Sequence, residues 1–177
     1  MKAVHKLGIA AGLLAMGLLT SASSCSKFAI DSDHDYRYTE TIQQSINFAG
    51  KAELILDNFV GAITVEDGPE DLIELAATKK AESRADLEKV RLEIQENPTS
   101  VEIHSMHPEH QRAKWAVEYV LKVPAGSRLT IDQGAGEIRI TNHEGSMSID
   151  LGVGEVKLEN ILAEDLHPGF SGKQLLP

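Results

Sequence analysis

The chain has 177 residues, of which 42% are hydrophobic and 5% aromatic, with a formal net charge of −10 and a single cysteine. This length predicts one domain of ordinary size, and a single cysteine excludes an internal disulfide. The acidic balance argues against nucleic acid as a partner, because a polyanion would be repelled.

The N-terminus has the layout of a secretory signal. Lys2 and Lys6 supply a short positive region, and residues 7–19 form an uncharged apolar run that ends at a polar stretch. The run is shorter than the about 20 apolar residues that a membrane-spanning helix needs. We therefore expect residues 1–24 to be a cleaved signal peptide, and the loss of its two lysines takes the formal charge from −10 to −12.

Cys25 follows directly after the small residues 20–24, and this segment resembles a bacterial lipobox. The motif usually has Leu where Ala22 stands and Gly or Ala where Ser24 stands. The resemblance implies lipidation of Cys25 and anchoring to a membrane, which several acyl chains make stable. Ser26, unlike an Asp there, implies the outer rather than the inner membrane. The alternative is an ordinary signal peptide followed by an incidental thiol.

Residues 25–41 are predicted to be a polar tether. They carry Asp31, Asp33 and Asp35 around His34, a spacing with a faint likeness to a calcium loop. Such a loop also needs a glycine at its sharp turn and a distal bidentate glutamate, which are missing. We expect no metal in this segment.

From residue 42 onward, apolar and polar residues alternate in short runs, which is typical of strands with one buried face. The runs are residues 54–56, 62–65, 72–76, 90–94, 101–103 and 117–123. Turn formers separate them at 67–69, 96–98 and 124–126. Residues 81–89 allow one short helix capped by Ser83, which we treat as a connection. The chain is otherwise predicted to be all-β.

An internal repeat with an offset of 18 residues follows these strands. Residues 129–142 align with residues 147–160, and six of the fourteen positions are identical. These are Ile131/Ile149, Asp132/Asp150, Gly134/Gly152, Gly136/Gly154, Glu137/Glu155 and Asn142/Asn160. An earlier segment aligns with the same repeat, with matching residues at Leu54, Asp57, Gly61 and Ile63. The repeating unit is therefore strand, Gly-x-Gly turn, strand, turn.

Two short strands cannot bury their apolar face alone, so successive units are expected to stack. The expected neighbours are Leu129, Ile131, Ile138 and Ile140 over Met147, Ile149, Val156 and Leu158. This stacking predicts a β-solenoid-like domain of the single-stranded β-helix type over residues 42–162, preceded by alternating antiparallel strands. A phosphate-binding glycine loop is disfavoured, because such loops open a helix and these glycines lead into a strand.

The strand order, the turn at residues 123–126 and the Gly-x-Gly units resemble a family of bacterial adhesins of uncharacterised function. The exported domains of that family repeat Gly-x-Gly-x-Ile-x-Ile-x-Gly. The resemblance covers about residues 48–161, through the stretches 60–66, 76–81, 120–126 and 129–161. It implies a β-solenoid-like fold on the cell envelope, and it carries no catalytic residues with it.

Residues 163–177 lose the alternation. An open solenoid end exposes strand edges and needs a cap. Either this segment is that cap, or the reading frame is truncated. We favour truncation, because Pro168, Gly169 and Gly172 crowd a segment without a pattern.

Three histidines, His104, His107 and His110, lie three residues apart beside Glu109, and imidazoles are good zinc or copper ligands. Pro108 interrupts the helix that would align them, so a solvated hairpin loop is the favoured interpretation. Metal capture by this loop stays as an alternative.

The stacked units also pair acidic residues, Asp132 with Asp150 and Glu137 with Glu155, about 4.8 Å apart on neighbouring strands. Paired carboxylates can bind calcium or perform acid-base chemistry. The simpler interpretation is that Asp opens a turn and Glu faces water. For Trp115 and Tyr119, four residues apart on one side of a strand, we expect core packing.

Together these patterns predict a cell-envelope lipoprotein with a non-catalytic, adhesin-like binding or scaffold domain and no cofactor. Its expected partners are the membrane, through lipid on Cys25, and an envelope glycan or protein. The alternatives are a carbohydrate-active β-helical enzyme that uses the paired acids, and an envelope metal-binding protein.

Overall fold

A computed structural model describes residues 36–106, 114–162, 166–170 and 173–174. The protein is all-β with one short helix. The elements are β1 (Tyr38–Asn47), β2 (Glu53–Asp67), β3 (Leu72–Ala81), α1 (Arg84–Lys89), β4 (Arg91–Glu96), β5 (Ser100–Met106), β6 (Trp115–Val123), β7 (Arg128–Thr141), β8 (Met147–Glu159), β9 (Leu166–Phe170) and β10 (Lys173–Gln174).

The strands form one open sheet that curls into a half-barrel. Strands β1, β3 and β6 pair antiparallel, as do β4 and β5, in agreement with the predicted antiparallel strands. Strand β2 pairs parallel with β7, and β7 pairs parallel with β8.

We predicted a β-solenoid-like domain, whereas the described residues show this curled open sheet and not a solenoid. The reason lies at β2. On the side of β2 away from β7, the first half of β2 pairs with β5 and the second half pairs with β6. A solenoid would instead have one more two-strand repeat along the whole length of β2.

The predicted stacking of the repeated segments is confirmed by the strand register. Leu129, Ile131 and Ile138 lie beside their counterparts in β8, 18 residues later. The earlier segment also fits, since Leu54 pairs with Leu129, and Asp57, Gly61 and Ile63 pair with their counterparts in β7. Register in a sheet with one buried face is strongly specified, because a slip of one residue would turn every apolar side chain outward.

Each of the three long strands contains a glycine that turns the chain. Gly61, Gly136 and Gly154 have φ values of 138°, 141° and 148°. A Cβ on Gly136 would lie 1.7 Å from the Gly61 carbonyl oxygen, and a Cβ on Gly154 would lie 1.7 Å from that of Gly136. Only glycine fits such a close approach of neighbouring strands.

One hydrophobic core fills the inside of the curled sheet, built from the inward residues of both halves of each long strand. Trp115 and Tyr119 are buried in it, as predicted. The short helix is also present, with Ser83 as its N-cap accepting a hydrogen bond from the Asp86 amide at 3.1 Å. Leu87 in the helix and Val90 directly after it pack into the core.

Two boundaries differ from those expected. Strand β1 begins at Tyr38, inside the predicted tether of residues 25–41, because its pairing with β3 needs main-chain groups rather than apolar side chains. Strands β9 and β10 pair parallel with β8, within the segment 163–177 predicted to be irregular.

The signal segment, Cys25 and the acidic residues 31–35 lie outside the described residues, so those expectations stay predictions. In the part of the chain that the structure describes, no helix has the length and apolar character to cross a membrane.

Candidate functional site

An acidic row crosses the outer face of the sheet. The inward positions of the long strands are apolar, so Asp57, Asp132 and Asp150 point away from the core, and the register sets each beside the next. His104 in β5 lies beside Asp57, and Glu93 in β4 lies beside His104. The acidic row is these five residues, which span about 19 Å at the usual strand spacing.

The carboxylates in the acidic row repel one another. Burial raises the pKa of Asp132, and the neighbouring carboxylates of Asp57 and Asp150 raise it further. His104 Nδ1 lies 3.5 Å from Asp57 Oδ2, and its Nε2 lies 3.6 Å from Glu102 Oε2. These distances are long for hydrogen bonds, so the imidazole offsets the carboxylates mainly when it is protonated. A cationic partner would therefore relieve repulsion along the row.

On the inner face of the sheet, next to the acidic row, a cluster of buried polar side chains links neighbouring strands by hydrogen bonds. Asn58 Nδ2 donates to Gln133 Oε1 at 3.0 Å, and Gln133 Nε2 donates to two main-chain carbonyls at 2.7 Å each. Ser105 Oγ donates to Asn58 Oδ1 at 2.8 Å and lies 2.8 Å from Tyr119 Oη. Burial raises the pKa of Tyr119, which keeps the phenol neutral. Buried polar groups satisfied in this way hold a local structure in one arrangement.

This cluster was missed by the sequence analysis. The signal was present, because Asn58 and Gln133 occupy inward positions of otherwise apolar strands, each directly after an aspartate of the row.

The second predicted acidic pair, Glu137 and Glu155, is stacked as expected but is neutralised by cations. Lys157 Nζ lies 2.9 Å from Glu137 Oε1 and 3.2 Å from Glu155 Oε2. Hydrogen bonds to these two carboxylates raise the pKa of Lys157. Arg139 contacts Glu137 at 3.3 Å and Glu159 at 3.4 Å. This pair therefore belongs to a surface ion-pair network.

Of the three histidines that could form the alternative metal site, only one is placed by the structure. His104 lies in β5, and His107 and His110 lie outside the described residues. Within the described ranges, no group of three or more His, Cys, Asp or Glu side chains has an arrangement that could hold a metal ion.

The four carboxylate residues of the acidic row are exposed, and His104 is partly exposed. A groove of about 390 Å³ lies elsewhere, along β1, β3 and β6, where Glu74 and Lys122 form an ion pair at 2.9 Å. Val120, one of its lining residues, is 46% exposed. An open charged face of this kind suits contact with another surface better than enclosure of a small molecule.

One further titratable residue is buried in the turn between β7 and β8. His143 is 1% exposed, and its Nε2 donates to the Ser127 carbonyl oxygen at 2.8 Å. Its Nδ1 has no hydrogen-bond partner among the described residues. Burial lowers the pKa of His143, so the imidazole is neutral and serves to hold the turn.

No protein-family model matches the chain, and no curated protein matches its sequence. Its fold is similar to the crystal structure of a putative cell adhesion protein from Clostridium sporogenes, with a TM-score of 0.52 and 15% identity over 70% of this chain. The chain spans 62% of the length of that protein.

A putative adhesin from Parabacteroides distasonis is also similar, at 13% identity over 80% of this chain and 65% of that one. Its TM-score is only 0.32, too low to establish a common fold. The similarity to the Clostridium sporogenes protein, at 15% identity, shows a shared fold alone.

Proposed function

We propose that the protein is a non-catalytic binding or scaffold module of the bacterial cell envelope, and that its acidic row docks a positively charged partner surface. The observation that carries this proposal is the row of four carboxylates and one histidine aligned across five neighbouring strands on an exposed face. The fold shared with a protein called a putative cell adhesion protein supports an adhesin-like role.

The geometry favours binding over catalysis. General acid-base catalysis places its two groups around a bound substrate, within hydrogen-bond reach of the reacting atoms. The acidic row has its carboxylates on the exposed outer face of the sheet, and Lys157 forms ion pairs with both Glu137 and Glu155. A line of like charges instead steers an oppositely charged surface and fixes its orientation. An envelope protein or glycan with basic groups is the partner that this row fits.

The proposal includes the membrane as a second partner, reached through lipid on Cys25 and in the outer rather than the inner membrane. Its support is the lipobox-like segment at residues 20–25. An anchored domain holds the acidic row close to the envelope surface, where a weak charged contact gains from high local concentration.

The binding proposal is tested with oligolysine as a cationic probe. The triple variant Asp57→Asn, Asp132→Asn, Asp150→Asn should bind it about tenfold more weakly than wild type, since each exposed carboxylate contributes about 0.5 kcal/mol. Affinity is measured by titration calorimetry at low salt, and repeating it at high salt should reduce the difference.

The matched control makes the same change in net charge away from the row, at the exposed residues Glu70, Glu88 and Glu144, each replaced by Gln. It should lose less than about twofold in affinity, because screening weakens distant charges. Equal losses in the two triple variants would show that the probe senses net charge only, and the acidic row would not be a binding surface.

A further inference from the structure

Strand β1 presents a free edge. In the described part of the chain it pairs on one side only, with β3, in one unbroken antiparallel register. The Phe48 amide donates to the Asp71 carbonyl at 2.8 Å, which continues this register beyond the strand. Main-chain groups alternate in direction along a strand. The even-numbered residues therefore bond to β3, and Thr39, Thr41, Gln43 and Ser45 direct their N–H and C=O groups outward.

In the sequence and pairing of the described strand, this edge lacks the features that usually prevent pairing with another chain. Natural edge strands are short, or carry lysines, prolines or bulges. Strand β1 spans ten residues without a proline, a lysine or a bulge. Its one charged residue, Glu40, pairs with Lys79 at 2.8 Å. Strand β4, in contrast, is six residues long, carries three charged residues and is followed by Pro98.

The residues of β1 are also complementary to themselves. Tyr38, Glu40, Ile42, Gln44 and Ile46 share one face of the strand, and Tyr38 is 42% exposed. When two copies pair antiparallel about a two-fold axis at Ile42, that residue faces the partner's Ile42. Tyr38 then faces the partner's Ile46, and Glu40 faces the partner's Gln44. Apolar positions lie opposite apolar positions, and polar positions lie opposite polar ones. Ile46 is 1% exposed in the core of its own chain, so the apolar contact across the interface is that of Ile42 with the partner's Ile42.

The neighbouring symmetric registers lack this match. Moving the axis to Gln43 sets Glu40 against the partner's Ile46, and moving it to Thr41 sets Glu40 against the partner's Ile42. Both place a carboxylate beside a branched apolar side chain, and both remove the contact of Ile42 with the partner's Ile42.

We propose that the free edge of β1 is a dimerisation edge, at which a second copy of this chain pairs antiparallel with Ile42 opposite the partner's Ile42. The two half-barrels then share one continuous sheet. About eight main-chain hydrogen bonds form between Thr39, Thr41, Gln43, Ser45 and the same residues of the partner subunit. The contact is smaller than a standard interface, so the dimer has a dissociation constant of about 1–100 µM. This inference does not depend on the acidic row or on lipidation.

The register is tested by cysteine substitution in the full chain with Cys25→Ser, purified in mild detergent. Ile42→Cys places two thiols on opposite residues, where the Cα separation of about 4.5 Å suits a disulfide. We expect mild oxidation to convert it to a covalent dimer that reductant reverses. The control, Gln44→Cys, lies on the same face, but its symmetry mate is about 13 Å away along the strand. It should form little dimer.

The edge itself is tested with proline. Gln43→Pro removes an outward N–H and leaves the β3 pairing intact, as proline at a free edge does. Sedimentation velocity should show wild-type dimers above the dissociation constant and only monomers of Gln43→Pro, with the same circular dichroism spectrum. Equal cross-linking at positions 42 and 44, a wild-type monomer at about 200 µM, or a dimer unaffected by Gln43→Pro would each overturn the proposal.

Discussion

At the scale of single residues, the glycines of the long strands act mainly through the space that a side chain would need. Gly136 combines a positive φ with a main-chain oxygen 1.7 Å from the place of a Cβ. Two other glycines separate these effects. Gly50 has a φ of 73° with open space around it, and Gly126 has open space without a positive φ.

We therefore expect Gly136→Ala to lower the free energy of unfolding by about 3 kcal/mol or more, because the strands must separate to admit a methyl group. Gly50→Ala should cost about 1 kcal/mol from backbone strain alone, and Gly126→Ala less than about 0.5 kcal/mol. Urea unfolding of the three variants measures these differences. If Gly136→Ala and Gly50→Ala lower the free energy of unfolding equally, backbone strain, and not the close approach of the strands, explains why position 136 is glycine.

At the scale of elements, strands β2, β7 and β8 lie parallel and in register, so side chains of the same type form lines across them. On the inner face this produces the core, and on the outer face it produces the acidic row. Rows of apolar side chains on neighbouring strands stabilise the sheet, whereas a row of like charges destabilises it by repulsion. Burial raises the pKa of Asp132, and the neighbouring carboxylates of Asp57 and Asp150 raise it further.

The sign of the pH dependence follows from this shift. An aspartate whose pKa is higher in the folded than in the unfolded state stabilises the fold while protonated, and this contribution is lost as pH rises through the folded pKa. Asp132→Asn should therefore raise the free energy of unfolding at about pH 7, by less than about 1 kcal/mol because the group is exposed. At about pH 3 the variant and the wild type should differ little.

Urea unfolding at the two pH values measures this effect, with Glu70→Gln as a control that makes the same charge change outside the acidic row. If Glu70→Gln stabilises the protein as much as Asp132→Asn at about pH 7, relief of net charge, and not of the row, is responsible.

At the scale of the whole molecule, one curled sheet around one core gives the chain an open charged face and a free edge. The predicted lipid anchor would determine where both act. It rests on residues 20–25 alone, so it needs a test that is independent of the fold.

We expect the chain produced in a bacterium to partition into detergent and to begin at Cys25 with the mass of a diacylglycerol or triacyl group added. Cys25→Ser should lose both the added mass and the partitioning, because the cysteine thiol is the acceptor of the lipid. Intact mass spectrometry of the detergent phase measures this. Ser32→Ala, a control in the same polar segment, should behave as wild type. An unlipidated, water-soluble wild-type chain would contradict the anchor.

The sequence by itself determined strands β2 to β8, the stacking of residues 129–142 on 147–160, and the place of Leu54 and Asp57 in the same frame. Alternation and glycine spacing are local patterns, and in-register stacking follows from them because apolar faces must be buried together. The pairing of Asp132 with Asp150 followed for the same reason.

The tertiary structure alone decided which strands surround β2, and therefore that the sheet opens into a half-barrel. It also brought His104 and Glu93 into line with Asp57, neutralised Glu137 with Lys157, and left β1 at an edge. Each of these depends on contacts between residues far apart in the chain. No local pattern encodes such contacts, because they are selected by the packing of the whole core.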